Sequence, residues 1–121
     1  MKVEDFKKKP RIPRESAFEK TVCDALGLYS RHMSDRLAGV PDRYVAGGTW
    51  IEFKVNGKPS KEQQRTMERL VQAGDNVWVC TLKVGKDGSK IILENLGEGL
   101  VWLHDYPSGI KEITSIIRDF L

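Results

Sequence analysis

Cysteine is scarce in this chain, with only Cys23 and Cys80 among 121 residues. They lie far apart, each inside an apolar stretch. Neither belongs to a Cys-x-x-Cys pair or to a metal-like cluster with His32 or His104, which speaks against a disulfide framework or a zinc knuckle. Reduced, buried thiols in a cytosolic protein fit this usage best. Long hydrophobic runs are missing too: none approaches the roughly 20 residues that a membrane span needs. The basic opening MKVEDFKKKPRIPR is followed by no apolar signal-peptide stretch. The expectation is a soluble, cytoplasmic protein that is not secreted. Internal repeats and low-complexity segments are also absent. Nor is there a strong charge of one sign, since 20 Lys and Arg stand against 17 Asp and Glu, giving +3 and a pI near 8.9. That balance tolerates nucleic acid without demanding it.

What is present is enough for one hydrophobic core, at 40% hydrophobic residues in a chain of single-domain length. Residues 1 to 14 carry Lys7, Lys8, Lys9, Arg11 and Arg14, interrupted by Pro10 and Pro13, and read as a basic arm. Residues 15 to 121 read as one domain. From about Ser16 the residues Phe18, Val22, Ala25, Leu26 and Tyr29 recur at helical spacing, and Gly27 offers a stop. A loop, SRHMSDRLAG, leads to a strand over Val40 to Ala46, and Gly47-Gly48 turns the chain into a second strand, Thr49 to Val55. Ser60 caps a helix with Gln63, Met67, Leu70 and Val71 inward, ending at Gly74. NVWVCTL, apolar on both faces, reads as a central strand. KIILENL and LVWLH follow as strands, and the last segment puts Ile110, Ile113, Ile117 and Phe120 on one helical face with Ser108 as cap. The order predicts an α/β fold with a mixed sheet flanked by helices.

The chemistry concentrates in GVPDRYVAGGTWIEFKV, residues 39 to 55. Residues two apart on a strand share a face, so Glu52 and Lys54 point together, with Trp50, while Ile51, Phe53 and Val55 point into the core. Antiparallel pairing through Gly47-Gly48 sets the Asp42 carboxylate opposite or diagonal to that face. Close carboxylates repel unless a cation neutralises them, and Mg²⁺ is commonly held by one or two carboxylates with waters and phosphates. A lysine beside such a metal can orient water and offset charge on a phosphorane-like transition state. Each piece also has an ordinary reading. Glu-x-Lys is the solvated face of many half-buried strands, and Pro-Asp opens many strands.

The joint pattern is more demanding: an acid on the first helix, Gly-x-Pro-Asp, about ten residues, Glu-x-Lys, then a Gln on the next helix. On these motifs residues 15 to 82 resemble the VRR-NUC family of the restriction-endonuclease-like nuclease superfamily. The resemblance implies a restriction-endonuclease-like fold, with Asp42 and Glu52 as ligands of Mg²⁺ (Mn²⁺ substituting) and the backbone carbonyl of Phe53 as a further ligand. It places the family lysine at Lys54, the helix acid and further ligand at Glu19, and the glutamine at Gln63. Competing readings stay open. Ser16 to Glu19 and Ser60 to Gln63 both fit the capping box, and Glu15, one turn before Glu19, is its substitute. A related exonuclease branch has tyrosine where this chain has Met67. Beyond Leu82 no family motif continues, so residues 84 to 121 read as a C-terminal elaboration.

His32 reads as an exposed bystander. Arg31, Arg36, Arg43 and the lysine run are either phosphate contacts or solvated surface. Trp78 and Trp102 read as core or interface, whereas Trp50 could stack on a base. The leading expectation is a Mg²⁺-dependent DNA endonuclease acting as a homodimer on branched DNA such as four-way junctions, by analogy with stand-alone members of the family, and suited to a phage or mobile element in a host cytoplasm. The alternative is a non-catalytic DNA-binding or assembly module with the same fold. A site-specific restriction enzyme would need a recognition segment for which 121 residues leave little room.

Overall fold

The structure is a computed structural model that describes residues 11–33 and 39–121. The lysines of the basic arm and Arg36 lie outside the described residues, and residues 11–14 form neither helix nor strand. The described residues form three helices: α1 (Glu15–Leu26), α2 (Lys61–Gln72) and α3 (Ile110–Asp119). They also form six strands: β1 (Ser30–His32), β2 (Arg43–Val45), β3 (Thr49–Val55), β4 (Asn76–Gly85), β5 (Gly88–Asn95) and β6 (Leu100–Tyr106). They make one sheet in sequential order, antiparallel throughout except where β3 runs parallel to β4. A parallel pair requires the chain to cross back over the sheet, and α2 occupies that crossover. The expected α/β class, a mixed sheet with helices on its faces, is what the chain adopts.

The two sheet faces differ in cover. On one, Ile51 and Phe53 of β3, Trp78, Cys80 and Leu82 of β4, and Ile91 and Leu93 of β5 pack beneath Phe18, Val22 and Leu26 of α1 and Ile113 and Ile117 of α3. On the other, Trp50, Val77 and Val79 lie beneath Met67, Leu70 and Val71 of α2. The six residues Val77 to Leu82 are all buried, as a strand covered on both faces requires. Residues 84 to 121 are integral to the main core through β5 and α3. Cys23 and Cys80 are free and buried, and burial pushes the Cys23 thiol up to about 11. No described helix is long and apolar enough to cross a membrane.

Three local expectations need correction. The loop after α1 contains a strand, β1, paired with β2. β2 spans three residues rather than the seven from Val40, because Pro41 has no N–H to pair and Gly39 turns the backbone with φ +80°. Ser108 does not cap α3. Gly109 holds the N-cap position without a side-chain bond, and its N–H donates to the Asp105 carbonyl at 2.7 Å. A Cβ at Gly109 would sit 2.5 Å from that oxygen, so the close approach of β6 to α3 demands glycine.

Candidate functional site

The site forms where β2 stops and β3 continues. Arg43 is the last β2 residue paired with β3, opposite Ile51, so Asp42 falls opposite Glu52. Beyond that point the β3 edge has no β2 backbone to bond, and side-chain carboxylates take over. The Phe53 N–H donates to Asp42 Oδ2 at 2.8 Å, and the Val55 N–H donates to Glu15 Oε2 at 3.3 Å. In return the Asp42 N–H donates to Glu52 Oε1 at 3.1 Å. In an extended strand the N–H and C=O of one residue leave by the same edge, so the Phe53 carbonyl shares the edge held by Asp42.

Glu52 is fully buried, at 0% exposure. Among the described residues its Oε2 accepts no hydrogen bond, and the Lys54 ammonium faces it at 3.5 Å. Burial first, and then the Asp42 carboxylate that hydrogen bonds to it, push the Glu52 carboxyl from its usual 4.5 up to about 8, while Lys54 pulls the other way. Lys54 is itself largely enclosed, its side chain 18% exposed. A fully buried carboxyl beside a second carboxylate, with one oxygen that accepts no hydrogen bond, is costly in the metal-free protein. Asp42, Glu52, Phe53 and Lys54 are thus brought together by one hairpin.

Glu19 and Gln63 are engaged elsewhere. Glu19, 5% exposed on α1, takes the Arg43 guanidinium at 2.7 Å and His32 Nδ1 at 2.8 Å on its Oε2. Gln63 completes a capping box: Ser60 Oγ accepts from the Gln63 N–H at 3.1 Å, and Gln63 Oε1 accepts from the Ser60 N–H at 2.9 Å. Of the two acids weighed on the first helix, it is Glu15 whose carboxylate reaches β3 beside Lys54. Among the described residues no group of three or more His, Cys, Asp and Glu side chains is arranged to hold a metal ion.

Sequence reasoning missed the Glu19, Arg43 and His32 cluster. His32 is no bystander, because β1 carries it to Glu19, and Arg43 also donates to Ser30 Oγ at 3.3 Å. The only available signal was the polar run Ser30 to His32 following a helix, which suggests a loop as readily as a strand. Trp50 is half-buried, its Nε1 donating to Asp75 Oδ2 at 3.1 Å and its ring 4.9 Å from that of Tyr44. It is a packing residue.

A cleft of about 1240 Å³ opens beside the site on the α2 face. Its floor includes Met67, Val79, Thr81 and Ile92, with Lys58 and Lys83 among its lining cations. Thr81 is the β4 neighbour of Lys54, so the cleft begins one strand from the carboxylate pair.

No family model, no curated protein and no solved structure matches the chain.

Proposed function

We propose that this chain is a metal-dependent DNA endonuclease of the VRR-NUC type in the restriction-endonuclease-like superfamily, acting on branched DNA as a homodimer. The observation that carries the reading is the half-buried Asp42 carboxylate set against the fully buried Glu52, whose Oε2 accepts no hydrogen bond and faces the Lys54 ammonium at 3.5 Å. Such a pair is stabilised by a hard divalent cation, which one or two carboxylates with waters suffice to hold. Asp42 and Glu52 would hold Mg²⁺ or Mn²⁺, with the Phe53 carbonyl as a further ligand. Bound there, the ion supplies positive charge against the scissile phosphate and a water of lowered pKa.

The chain's own residues do the rest. Lys54 presents an ammonium next to Glu52, where it orients the attacking water and offsets charge that grows on the phosphoryl oxygens. Asp42, fixed by the Phe53 N–H, keeps its second oxygen for the cation. Glu15 on the Val55 N–H holds the β3 edge straight past Lys54. The adjoining cleft offers Lys58 and Lys83 to the phosphate backbone. In-line attack then leaves 5′-phosphate and 3′-hydroxyl ends.

One observation favours the second reading, a DNA-binding or assembly module without catalysis: Glu19, the family's helix acid, is committed to Arg43 and His32. Two measurements separate the readings. Cleavage of a labelled four-way junction beside a matched linear duplex, with Mg²⁺, Mn²⁺ or EDTA, should show metal-dependent cutting of the junction that Glu52→Gln abolishes. Calorimetric titration with Mg²⁺ alone should show binding that Glu52→Gln loses. Binding of the junction without metal uptake or cutting supports the module reading instead. Equal cutting of duplex and junction refutes the structure selectivity.

A further inference from the structure

Among the described residues the sheet has two edges, β1 and β6. β1 is three residues long and carries Arg31, which leaves little to template. β6 is seven residues long, and its stretch Leu100 to His104 contains no Lys, Arg, Asp, Glu or Pro, the residues that guard natural edges against pairing. It also exposes aliphatic side chains, Val101 and Leu103 each at 64% and Leu100 at 45%. We propose that β6 pairs antiparallel with β6 of a second copy of this chain about a two-fold axis at Trp102, joining two six-stranded sheets into one.

The main-chain pattern sets the register. The Asp105 carbonyl accepts from Gly109 N–H, so it points away from β5. Along a strand, residues alternate between bonding one neighbour and the other, hence Val101 and Leu103 also direct their N–H and C=O groups outward. A two-fold at Trp102 sets Val101 opposite Leu103 of the second copy and Leu103 opposite its Val101, making two hydrogen-bonded pairs. Asp105, already taken by α3, falls outside the paired stretch.

Side chains favour the same arrangement. On the α2 face, each Val101–Leu103 pair extends an apolar stripe begun by Ile92, the β5 partner of Leu103. On the opposite face the two Trp102 rings meet at the axis, each backed by Phe120 with ring centroids 5.9 Å apart, beside the exposed Leu121. A central aromatic in an apolar patch is the usual anchor of an interface. A second copy is the occupant because the strand complements itself when read backwards, the requirement of an isologous contact. The paired stretch is uncharged, so two chains of +3 meet there without like charges opposed.

The test is sedimentation equilibrium of the full chain without DNA at micromolar concentration. The expected species has twice the 13.7 kDa chain mass, and Leu103→Lys returns it to the chain mass with an unchanged far-ultraviolet circular dichroism spectrum. A Val101→Cys/Leu103→Cys double variant should crosslink into a covalent dimer on oxidation, whereas Leu103→Cys alone should not, since the two Leu103 residues do not face each other. A wild-type chain at the monomer mass overturns the proposal. So does a dimer that Leu103→Lys leaves intact, and so does a double cysteine variant that stays monomeric on non-reducing gels, a readout that stands even if the lysine variant misfolds. The inference rests on the homodimer of the proposed function and names its interface; no arm reads cleavage, so a monomeric chain overturns the dimer without touching metal-dependent cutting.

Discussion

Glu52 couples the site to pH. Its carboxyl ionises near 4.5 when unfolded but at about 8 when folded, so between those values the folded state holds a proton that the unfolded state has released. Stability of the metal-free protein must therefore fall as pH rises through that window, and the loss is complete above the folded value. Thermal unfolding in EDTA should show the melting temperature dropping from about pH 5 to about pH 8.5, with the slope flattened in Glu52→Gln. Added Mg²⁺ should restore the stability of wild type at the alkaline end and leave the variant unchanged. Lys54→Ala should still fold, because the buried Glu52 keeps its proton once the neighbouring ammonium is gone, while cleavage falls by about 10²-fold or more; an equal loss of stability would mark a structural lysine. The convergence of Asp42, Glu52 and Lys54 was legible in the sequence because a two-residue period and one glycine turn decide it. The engagement of Glu19 was not, because it depends on Arg43 and His32 arriving from two other strands.

Elements reveal what holds those residues in place. Gly39 turns the chain ahead of Asp42 with φ +80°, and a Cβ there would meet Glu62 Cγ and Thr66 Oγ1 of α2 at 3.1 Å each. Gly39→Ala should cost about 1–3 kcal/mol of stability, read by urea unfolding, and should weaken Mg²⁺ binding through Asp42. At α2, Ser60→Ala should remove about 1 kcal/mol. Gln63→Ala should lower stability through the same box, and unaltered cutting would assign Gln63 to the cap alone. The capping box, Gly27 at the end of α1 and the bounds of β3 were all readable, since each is decided within a few residues. β1 and the shortness of β2 were not, because pairing partners rather than local preference define them. The cap of α3 misled for a related reason: the contact of β6 with Gly109 displaces the role that local sequence offered to Ser108.

Across the whole molecule, the last third of the chain is structural. Ile113 and Ile117 of α3 are fully buried against α1, and Arg118 bonds the carbonyls at the end of α1, reaching Ala25 at 2.8 Å and Leu26 at 3.1 Å. Ile113→Ala should cost about 2–5 kcal/mol, measured by chemical denaturation, and a chain ending before α3 should lose its cooperative transition. Its periodic apolar pattern made the helix visible in the sequence, but not its docking against a helix some ninety residues earlier. Asp42 is at once a rung of the sheet and half of the acidic pair, so a substitution there gives up the acceptor of the Phe53 N–H as well as the carboxylate that the proposed cation site requires, while relieving the repulsion on Glu52. Position 42 should tolerate Asn better than any other residue in a selection for soluble expression, and tolerate nothing but Asp in a selection for cutting. The gap between those two profiles would measure how much of the residue belongs to architecture and how much to chemistry.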